Sequence, residues 1–191
     1  TIANAVVHYW QQRGESFRFR AVHRLDQETS GVLAIAKNPF AHQNISEQMK
    51  ANRMEKRYAA IVHGAPAVEE GTVSAPIDRD PEQPHRRIVM PPGSDYEAVT
   101  HYRVLRRYAG ASLVGIRLET GRTHQIRVHM RYLGCPLFGD KLYGLGEEDE
   151  GIERHALHAS ELGFHHPVTN QWMQVKAELP EDMERLLERL E

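Results

Sequence analysis

The chain has 191 residues, of which 40% are hydrophobic and 26% are charged, and its formal net charge at pH 7 is −2. This length and composition predict one globular domain with a single core, and the sequence has neither a long apolar run nor a signal-peptide pattern, which argues against a transmembrane or exported protein. Its only cysteine, Cys135, excludes an internal disulfide framework and is typical of a reducing compartment.

The first third of the chain predicts two helices with a loop between them. Residues 2–12 predict a helix that ends near Gly14, and residues 39–53, which begin with Pro39, predict a second helix. Between them lies the segment HRLDQETSG, residues 23–31. Its flanks, FRFRAVHRL and VLAIAK, are typical of strands. Asp26 is therefore predicted on a connection between two strands, a place where catalytic groups are often found.

Two interpretations of Asp26 are open at this point. The carboxylate lies between a basic run and a small-residue turn, where it can be held ionised and aimed at a ligand. Alternatively, an Asp followed by Thr29, Ser30 and Gly31 is ordinary turn chemistry, in which the side chain bonds local backbone amides. The segment alone does not decide between these two interpretations.

The rest of the chain is predicted to be mostly strands. The predicted strands are 57–62, 98–108, 111–119, 157–164 and 172–178, with a tight turn near Gly110 and short hairpin strands in the loop-rich segment 64–93. A helix follows Gly121 and ends at Gly134, and another covers 181–190. The acidic loop 144–153 is predicted to be solvated. The predicted fold class is α+β, with a mostly antiparallel sheet and helices packed outside it.

The helix after Gly121 has two distinct faces. Ile126, Met130 and Leu133 fall at helical spacing for a stripe that faces the core, whereas Arg127 and Arg131 lie four residues apart on a neighbouring face. Arginine suits a fixed, bidentate pairing with a carboxylate or phosphate. Without further context, a solvated helix face is the simpler interpretation of these two arginines.

The net charge of −2 hides a division along the chain. Residues 1–145 carry a net positive charge and residues 146–191 a net negative charge. The basic side chains of the first part are candidates for a surface that faces phosphates: Arg18, Arg20, Arg24, Lys50, Arg53, Lys56, Arg57, Arg79, Arg86, Arg87, Arg103, Arg106 and Arg107. The alternative for about half of them is scattered, solvated charge.

Four motifs together carry a family resemblance. HRLDQETSG, EKRYAAIVHG (55–64), ETGRTHQIRVHM (119–130) and GCPLFGDKLYG (134–144) resemble, in this order, the motifs of the RluA-type pseudouridine synthases. The resemblance covers nearly the whole chain. It implies one catalytic domain over residues 1–191, with a mixed, mostly antiparallel sheet and flanking helices. Because the chain begins with Thr1, we expect it to lack the N-terminal strand of the family and the small RNA-binding domain that many members carry.

The resemblance implies an enzyme that isomerises specific uridines in structured ribosomal or transfer RNA to pseudouridine. Such an isomerisation involves no redox change, so no cofactor is expected. RNA is the expected partner, with no membrane and no obligate protein partner, and we expect a cytoplasmic monomer.

The resemblance also implies roles for residues at the site. Asp26 matches the catalytic carboxylate, which acts either as a nucleophile on the sugar or base or as a base at the ribose. Arg127 matches its guanidinium partner, and Ile126 forms an apolar wall beside it. Tyr58 matches the tyrosine that stacks on the uracil, although the strand pattern alone also allows it to fill the core.

Four basic residues are implied to contact RNA. Arg24 resembles the arginine that occupies the space left when the target uridine is flipped out of the RNA. Arg122, at the start of the predicted helix, is suited to phosphate. Lys56 and Arg57, within the EKRY motif, are further RNA-binding candidates.

Two other function classes compete with this interpretation. Twelve histidines suggest a metal-dependent hydrolase, but His124 and His129 are five residues apart and there is no HExxH motif, so no metal site is predicted. A non-catalytic RNA-binding module would not need Asp26, Tyr58 and Arg127 together, because binding phosphate requires no buried carboxylate.

Overall fold

The computed structural model describes residues 1–146 and 151–191. The central residues of the acidic loop predicted at 144–153 therefore lie outside the described residues. The described helices are α1 (Ile2–Gln12), α2 (Pro39–Lys50), α3 (Gln125–Tyr132) and α4 (Glu181–Leu190). None of these four is long and apolar enough to cross a bilayer. The predicted bounds of the first and last helices are confirmed.

Two of these helices differ from the sequence prediction at one end. The second helix, α2, ends at Lys50 rather than at residue 53, because Asn52 adopts a left-handed conformation with φ of 53°. The third helix, α3, begins only at Gln125, because the residue before it, His124, is also left-handed, with φ of 58°. The segment from Gly121 to His124 is therefore a loop that leads into the helix.

The described strands are β1 (Ser30–Gly31), β2 (Glu55–His63), β3 (Glu70–Ser74), β4 (Ile77–Arg79), β5 (Arg87–Val89), β6 (Val99–Tyr108), β7 (Ala111–Leu118), β8 (Leu157–His165) and β9 (Trp172–Lys176). Seven of them form one sheet in the order β1-β8-β2-β7-β6-β3, with β9 also paired to β8, and β4 and β5 form a separate hairpin. The pair β1–β8 is parallel and the other pairs are antiparallel. This confirms the predicted mixed, mostly antiparallel sheet of an α+β fold.

The sheet is covered by helices on both faces. Alternate residues of β2 point to opposite sides, so Ala60 packs with Ile126 and Met130 of α3 on one face. On the other face, Ile61 packs with Met183 of α4, and both side chains are completely buried. The central strand β2 is therefore fixed from both sides, which gives the site that it carries a rigid support.

The strands predicted on both sides of Asp26 are mostly absent, and this prediction was wrong. Residues 15–37 form only the short β1 and one antiparallel bridge, between Ala21 and Ile35. Val22 is buried here in a cluster that includes Ile45 of α2. An apolar alternation indicates an extended segment with one buried side, but a regular strand also needs a neighbouring strand, which residues 15–37 largely lack.

Candidate active site

A small pocket between the loop of Asp26 and the start of α3 collects most of the predicted site. Its volume is about 90 Å³. Five of the predicted residues line it, namely Arg24, Asp26, Tyr58, Arg122 and Ile126. Leu25, Leu118 and Leu157 also line it, so that its wall combines apolar surface with one carboxylate, one phenol and two guanidinium groups. Such a mixture is typical of a site that encloses a small ligand and orients it.

The loop that carries Asp26 is closed by local hydrogen bonds. The backbone N–H of Thr29 donates to the carbonyl oxygen of Asp26 over 3.0 Å, which forms a turn directly after the carboxylate. The backbone N–H of Ala34 donates to Nε2 of His23 over 3.1 Å. His23 therefore supports the loop by hydrogen bonding, and Asp26 lies at the start of its turn.

Two histidines from the far end of the chain fix this loop to the sheet. Thr29 Oγ1 and His155 Nε2 share a hydrogen bond of 2.7 Å, and Ser30 Oγ and His158 Nδ1 share one of 2.9 Å. Burial, followed by the charge of Arg127, lowers the pKa of His155 to about 4. His155 is therefore neutral at physiological pH and can serve as a stable hydrogen-bonding partner of the loop.

Gly31 allows the loop to approach the sheet closely. Its φ is 112°, a conformation that side chains disfavour, and an added Cβ would lie 2.2 Å from the carbonyl oxygen of Ala159. This contact is with backbone and cannot be relieved by a rotamer change. This close approach explains why a glycine, and no residue with a side chain, ends the HRLDQETSG motif.

The Asp26 carboxylate is partly buried, and no described side chain lies within hydrogen-bond or ion-pair distance of it. Its charge nevertheless acts on its neighbours. Burial, followed by the charge of Asp26, raises the pKa of Tyr58 to about 12, so that the phenol is protonated at neutral pH. An unpaired carboxylate beside a protonated phenol has its oxygens available to a ligand.

The structure corrects the predicted partner of Arg127. Its Nε and Nη2 atoms donate to the two carboxylate oxygens of Asp140, each over 2.7 Å, in a bidentate pair that does not include Asp26. The side chains are 9% and 0% exposed, respectively. Asp26 still acts on Arg127 electrostatically. Because the guanidinium is shielded from water and needs a fixed counterion, it pairs with the fully buried carboxylate that lies next to it.

Asp140 is itself held by the backbone. Its Oδ1 accepts hydrogen bonds from the N–H groups of Leu142 and Tyr143, over 3.0 and 2.9 Å. Burial alone would raise the pKa of Asp140, but the hydrogen bonds and charge of Arg127 outweigh burial and lower it. Asp140 is therefore ionised, and its four accepted bonds fix the orientation of the Arg127 guanidinium near Asp26.

Tyr143 connects this ion pair to its surroundings. Its ring centroid lies 5.0 Å from the Arg127 guanidinium carbon, a cation–π distance. Its hydroxyl accepts the backbone N–H of Arg87 over 2.8 Å and shares a 2.8 Å bond with His124 Nδ1. Tyr143 thereby joins the β4–β5 hairpin and the left-handed residue before α3 to the site.

The segment that precedes α3 is fixed by one buried amide. Gln125 Oε1 accepts the backbone N–H of Arg122 and the hydroxyl of Thr120, and Gln125 Nε2 donates to Val99 O and to the hydroxyl of Thr100, all within 3.0 Å. These bonds satisfy the whole amide group. Arg122, whose side chain is exposed, is therefore held at the pocket by the backbone conformation.

The two adjacent basic residues of β2 have different positions. Lys56 lies on the face of the strand that also carries Tyr58, close to Gly121. Arg57 points to the opposite face, where Glu55 and Glu161 lie within 3.2 and 3.3 Å of it. The structure thus keeps Lys56 near the pocket and places Arg57 away from it, because successive strand residues point to opposite faces.

The sequence interpretation missed four residues that support the site. Asp140 and Tyr143 belong to the GDKLYG segment, which carries the family resemblance but no predicted site residue. Thr29 is predicted only as a turn residue, and His155 has no predicted role. An acid followed three residues later by a tyrosine is the only local sequence signal for the first two. No local signal indicated His155, because its partner is 126 residues away.

Within residues 1–146 and 151–191, no group of three or more His, Cys, Asp or Glu side chains is arranged to hold a metal ion. The histidines discussed above are instead engaged in hydrogen bonds to protein groups.

Comparisons with known proteins identify the family of the chain. The family model described as RNA pseudouridylate synthase matches residues 3–132. The uncharacterized RNA pseudouridine synthase YjbO of Bacillus subtilis is 47% identical over 98% of this chain and 65% of its own length. The ribosomal large subunit pseudouridine synthase D of Xanthomonas campestris is 41% identical over 100% of this chain and 60% of its own length.

A solved structure shows the same fold. Human RNA pseudouridylate synthase domain containing 4 has a TM-score of 0.78 and 26% identity, covering 98% of this chain and 81% of its own. The chain spans 60–65% of the length of the two curated relatives named above. The matched family model and the two relatives confirm the resemblance seen in the motifs, and the chain belongs to the RNA pseudouridylate synthase family.

Proposed function

We propose that this chain carries the catalytic site for the isomerisation of uridine to pseudouridine in RNA, with Asp26 as the catalytic carboxylate. The observation that carries the proposal is the unpaired Asp26 carboxylate, which faces a pocket with Tyr58 in a chain of this family. A carboxylate that served only to form a turn would bond local amides through its side chain. Asp26 instead uses its backbone carbonyl for the turn.

The reaction needs no group beyond those in the pocket. The bond between the ribose C1′ and uracil N1 breaks, the uracil turns, and a bond between C1′ and C5 forms. The hydrogen on C5 leaves to a base and N1 gains a proton, so the product has the same atoms as the substrate. Because there is no oxidation or reduction, the proposed mechanism uses no redox cofactor.

Asp26 has two chemically balanced roles in this scheme. As a nucleophile, its carboxylate attacks C1′ or the base and forms a covalent intermediate that later collapses. As a base, it removes a proton from the ribose so that the uracil departs without a covalent bond to the protein. Both roles need a carboxylate whose oxygens are free, and no described side chain is hydrogen-bonded to those of Asp26.

Tyr58 and the apolar wall bind the base in this proposal. The aromatic ring of Tyr58 offers a flat face to the uracil, and Ile126, Leu118 and Leu157 exclude water around it. Because its pKa is raised to about 12, Tyr58 enters the reaction as a neutral phenol. It accepts the C5 proton only as part of a relay in which its own phenolic proton passes to a second acceptor, either the Asp26 carboxylate or water.

The pocket requires the target nucleotide to leave the RNA stack. A pocket of about 90 Å³ whose wall includes the buried side chains of Leu118, Ile126 and Leu157 holds a base only after the nucleotide has been flipped out. Arg24 is exposed at the pocket, and no described carboxylate pairs with it. Its guanidinium therefore remains available to fill the vacated position and to contact phosphate.

The substrate proposed for the whole protein is large-subunit ribosomal RNA. This rests on the relative from Xanthomonas campestris, whose name states that activity, and on 41% identity over this entire chain. Transfer RNA is the second candidate. Since the chain spans only part of its relatives, the choice of uridine depends on the whole protein.

The test is release of tritium from in vitro transcripts that carry tritium at C5 of uridine. Transcripts of large-subunit ribosomal RNA and of transfer RNA are compared, with the wild-type protein and with Asp26→Ala. Release by the wild type alone supports the proposal and identifies the RNA class. Equal release by both proteins would overturn the role of Asp26.

A non-catalytic RNA-binding module is the competing function. It predicts binding without tritium release for the wild type as well as for the variant. If a longer protein that includes the regions present in its relatives also binds both transcripts and releases no tritium, the catalytic proposal is wrong.

A further inference from the structure

Lys56 is a cation beside the pocket without a counterion. It is partly buried, and no carboxylate of a described residue lies within ion-pair distance of its ammonium group. Its immediate neighbour in the chain, Arg57, is more exposed and has two glutamates beside it. In this short segment of β2, the exposed Arg57 is therefore paired with glutamates, whereas the partly buried Lys56 has no carboxylate partner among the described residues. Sheltering an unpaired charge from water costs free energy unless an anion binds there.

The surroundings of Lys56 define where such an anion would lie. A Cβ added to Gly121 would lie 3.9 Å from Lys56 Nζ, and the Lys56 ammonium is close enough to His23 to contribute to lowering its pKa. Gly121 and Arg122 line the pocket together with Asp26. Because Gly121 has no side chain, the space between the ammonium and the pocket edge is open. Arg122, the next residue in the chain, also lines the pocket; its Nε donates to the carbonyl oxygen of Glu97 over 3.0 Å, so its two terminal nitrogens are the groups that would reach an anion.

The chemistry of the proposed substrate leaves one kind of anion for this position. Uracil and ribose are neutral, so the negative charges of a flipped uridine are the phosphodiesters on its two sides. Phosphates stay at the rim while the base enters the pocket, and contacts to them position the nucleotide without reading its sequence. Lys56 does not line the pocket but lies immediately outside it, where a flanking phosphate would be.

We infer that Lys56 and Arg122, with the open space at Gly121, form a binding site for the phosphodiester next to the target uridine. This inference rests on the proposed function, since it takes the flipped uridine to be the occupant of the pocket. The site holds the nucleotide by its backbone. Loss of Lys56 therefore weakens binding of any RNA by a similar factor.

Uridine 3′,5′-bisphosphate is the probe, because it is the smallest molecule with both flanking phosphates, and neutral uridine is its control. Binding is followed through the backbone amide of Gly121 by NMR titration of the whole chain. We expect the bisphosphate to bind wild type more tightly than uridine does. Lys56→Gln should weaken bisphosphate binding roughly tenfold and leave uridine binding unchanged. Lys56→Arg should recover most of the affinity.

Arg57→Gln is the matched control, since it removes one positive charge from the next residue on the opposite face. It should leave the affinity for the bisphosphate within about twofold of the wild type, because water and salt screen the charge of an exposed side chain on the opposite face of the strand. Equal losses in Lys56→Gln and Arg57→Gln would overturn the site, as would equal binding of uridine and bisphosphate by the wild type.

The site and the proposed function can fail separately. Bisphosphate binding that depends on Lys56, together with no tritium release by the longer protein, supports the phosphate site and contradicts isomerisation. Tritium release with bisphosphate binding that is independent of Lys56 supports isomerisation and contradicts the site.

Discussion

Apart from the buried Arg127, which pairs with Asp140, the basic side chains on the two faces of the sheet differ in whether a carboxylate pairs with them. On the face with the pocket, Arg24, Lys56 and Arg122 have no carboxylate partner among the described residues. On the opposite face and the outer strands, the arginines are paired with glutamates: Arg57 with Glu55 and Glu161, Arg103 with Glu70, Arg106 with Glu191 and Arg107 with Glu69. The net charge of the whole chain therefore does not indicate which face carries unpaired positive charge.

The difference shows how a chain with net charge −2 can still present a cationic surface to RNA. A groove of about 840 Å³ lies on the paired face and is much larger than the pocket, but its arginines have acids beside them. A polyanion gains little from charges that are already neutralised. Charge pairing, rather than cavity size, distinguishes the candidate RNA surface from the rest of the sheet.

The largest expected effect on the pocket face is that of Asp26→Asn. This change replaces the carboxylate by an amide of the same shape, which can act neither as a nucleophile nor as a base, and we expect isomerisation to fall on the order of 10⁴-fold or more. RNA binding should persist, since loss of a negative charge lowers repulsion of phosphate. Tritium release and filter binding measure the two effects. Turnover that remains in both Asp26→Asn and Asp26→Ala would contradict the assignment.

Asp140→Ala tests the buried ion pair between Arg127 and Asp140 against an exposed pair of the other face. It leaves Arg127 buried without a counterion, so we expect the free energy of unfolding to fall by about 3–5 kcal/mol. Glu70→Ala, which breaks an exposed pair with Arg103, should change it by about 1 kcal/mol or less. Urea denaturation of both variants gives the comparison, and similar losses would contradict it.

The Asp140 pair also has a defined pH dependence. The pKa of Asp140 is lowered in the folded protein, so its contribution to stability is fully present above the unfolded value of about 3.9. The contribution is lost as the pH falls through the lower, folded pKa. Urea midpoints measured at acid pH should therefore converge for the wild type and Asp140→Ala.

Tyr58→Phe should have a smaller effect on catalysis than loss of Asp26. The ring remains to stack on the base, but the hydroxyl that relays a proton is lost, and we expect the rate to fall roughly 10²-fold with RNA affinity unchanged. Because the wild-type phenol has a pKa of about 12, its ionisation should leave the wild-type rate unchanged near pH 10, where an ordinary tyrosine titrates. An unchanged rate for Tyr58→Phe would remove the proton-transfer role.

Arg24→Gln and Arg103→Gln compare an unpaired arginine with a paired one. We expect Arg24→Gln to weaken RNA binding and to reduce the slope of log affinity against log salt concentration by about one. Arg103→Gln should leave both quantities close to the wild type. Filter binding over a salt series distinguishes the two, and equal effects would mean that pairing with acids does not define the RNA surface.

The smallest effect is expected for Thr29→Val. It removes the hydrogen bond to His155 that fixes the Asp26 loop, and we expect a loss of about 1 kcal/mol in the free energy of unfolding. The control is Thr72→Val, which removes a similar 2.8 Å bond to His101 on the exposed face. Because water replaces an exposed bond, the control should lose less, and the reverse order would contradict the role of Thr29.

The sequence determined the elements whose residues lie close together in the chain. The bounds of α1 and α4, the hairpin of β6 and β7, and the core stripe of α3 follow from periodicity and turn residues that act within a few positions. The motifs also identified Asp26, Tyr58, Ile126 and Arg24, which the fold brings to one pocket. Their catalytic and RNA-binding roles remain predictions.

Only the tertiary structure decided which partner each charged or polar group takes. Arg127 pairs with Asp140 rather than with Asp26, and Thr29 bonds His155 from the other end of the chain. Local sequence preferences extend over a few residues, whereas the partner of a buried charge depends on which side chain the packing brings within 3 Å. For the same reason, the sequence named Lys56 and Arg57 together as RNA ligands, and only the packed sheet, with its glutamates on one face, separated them.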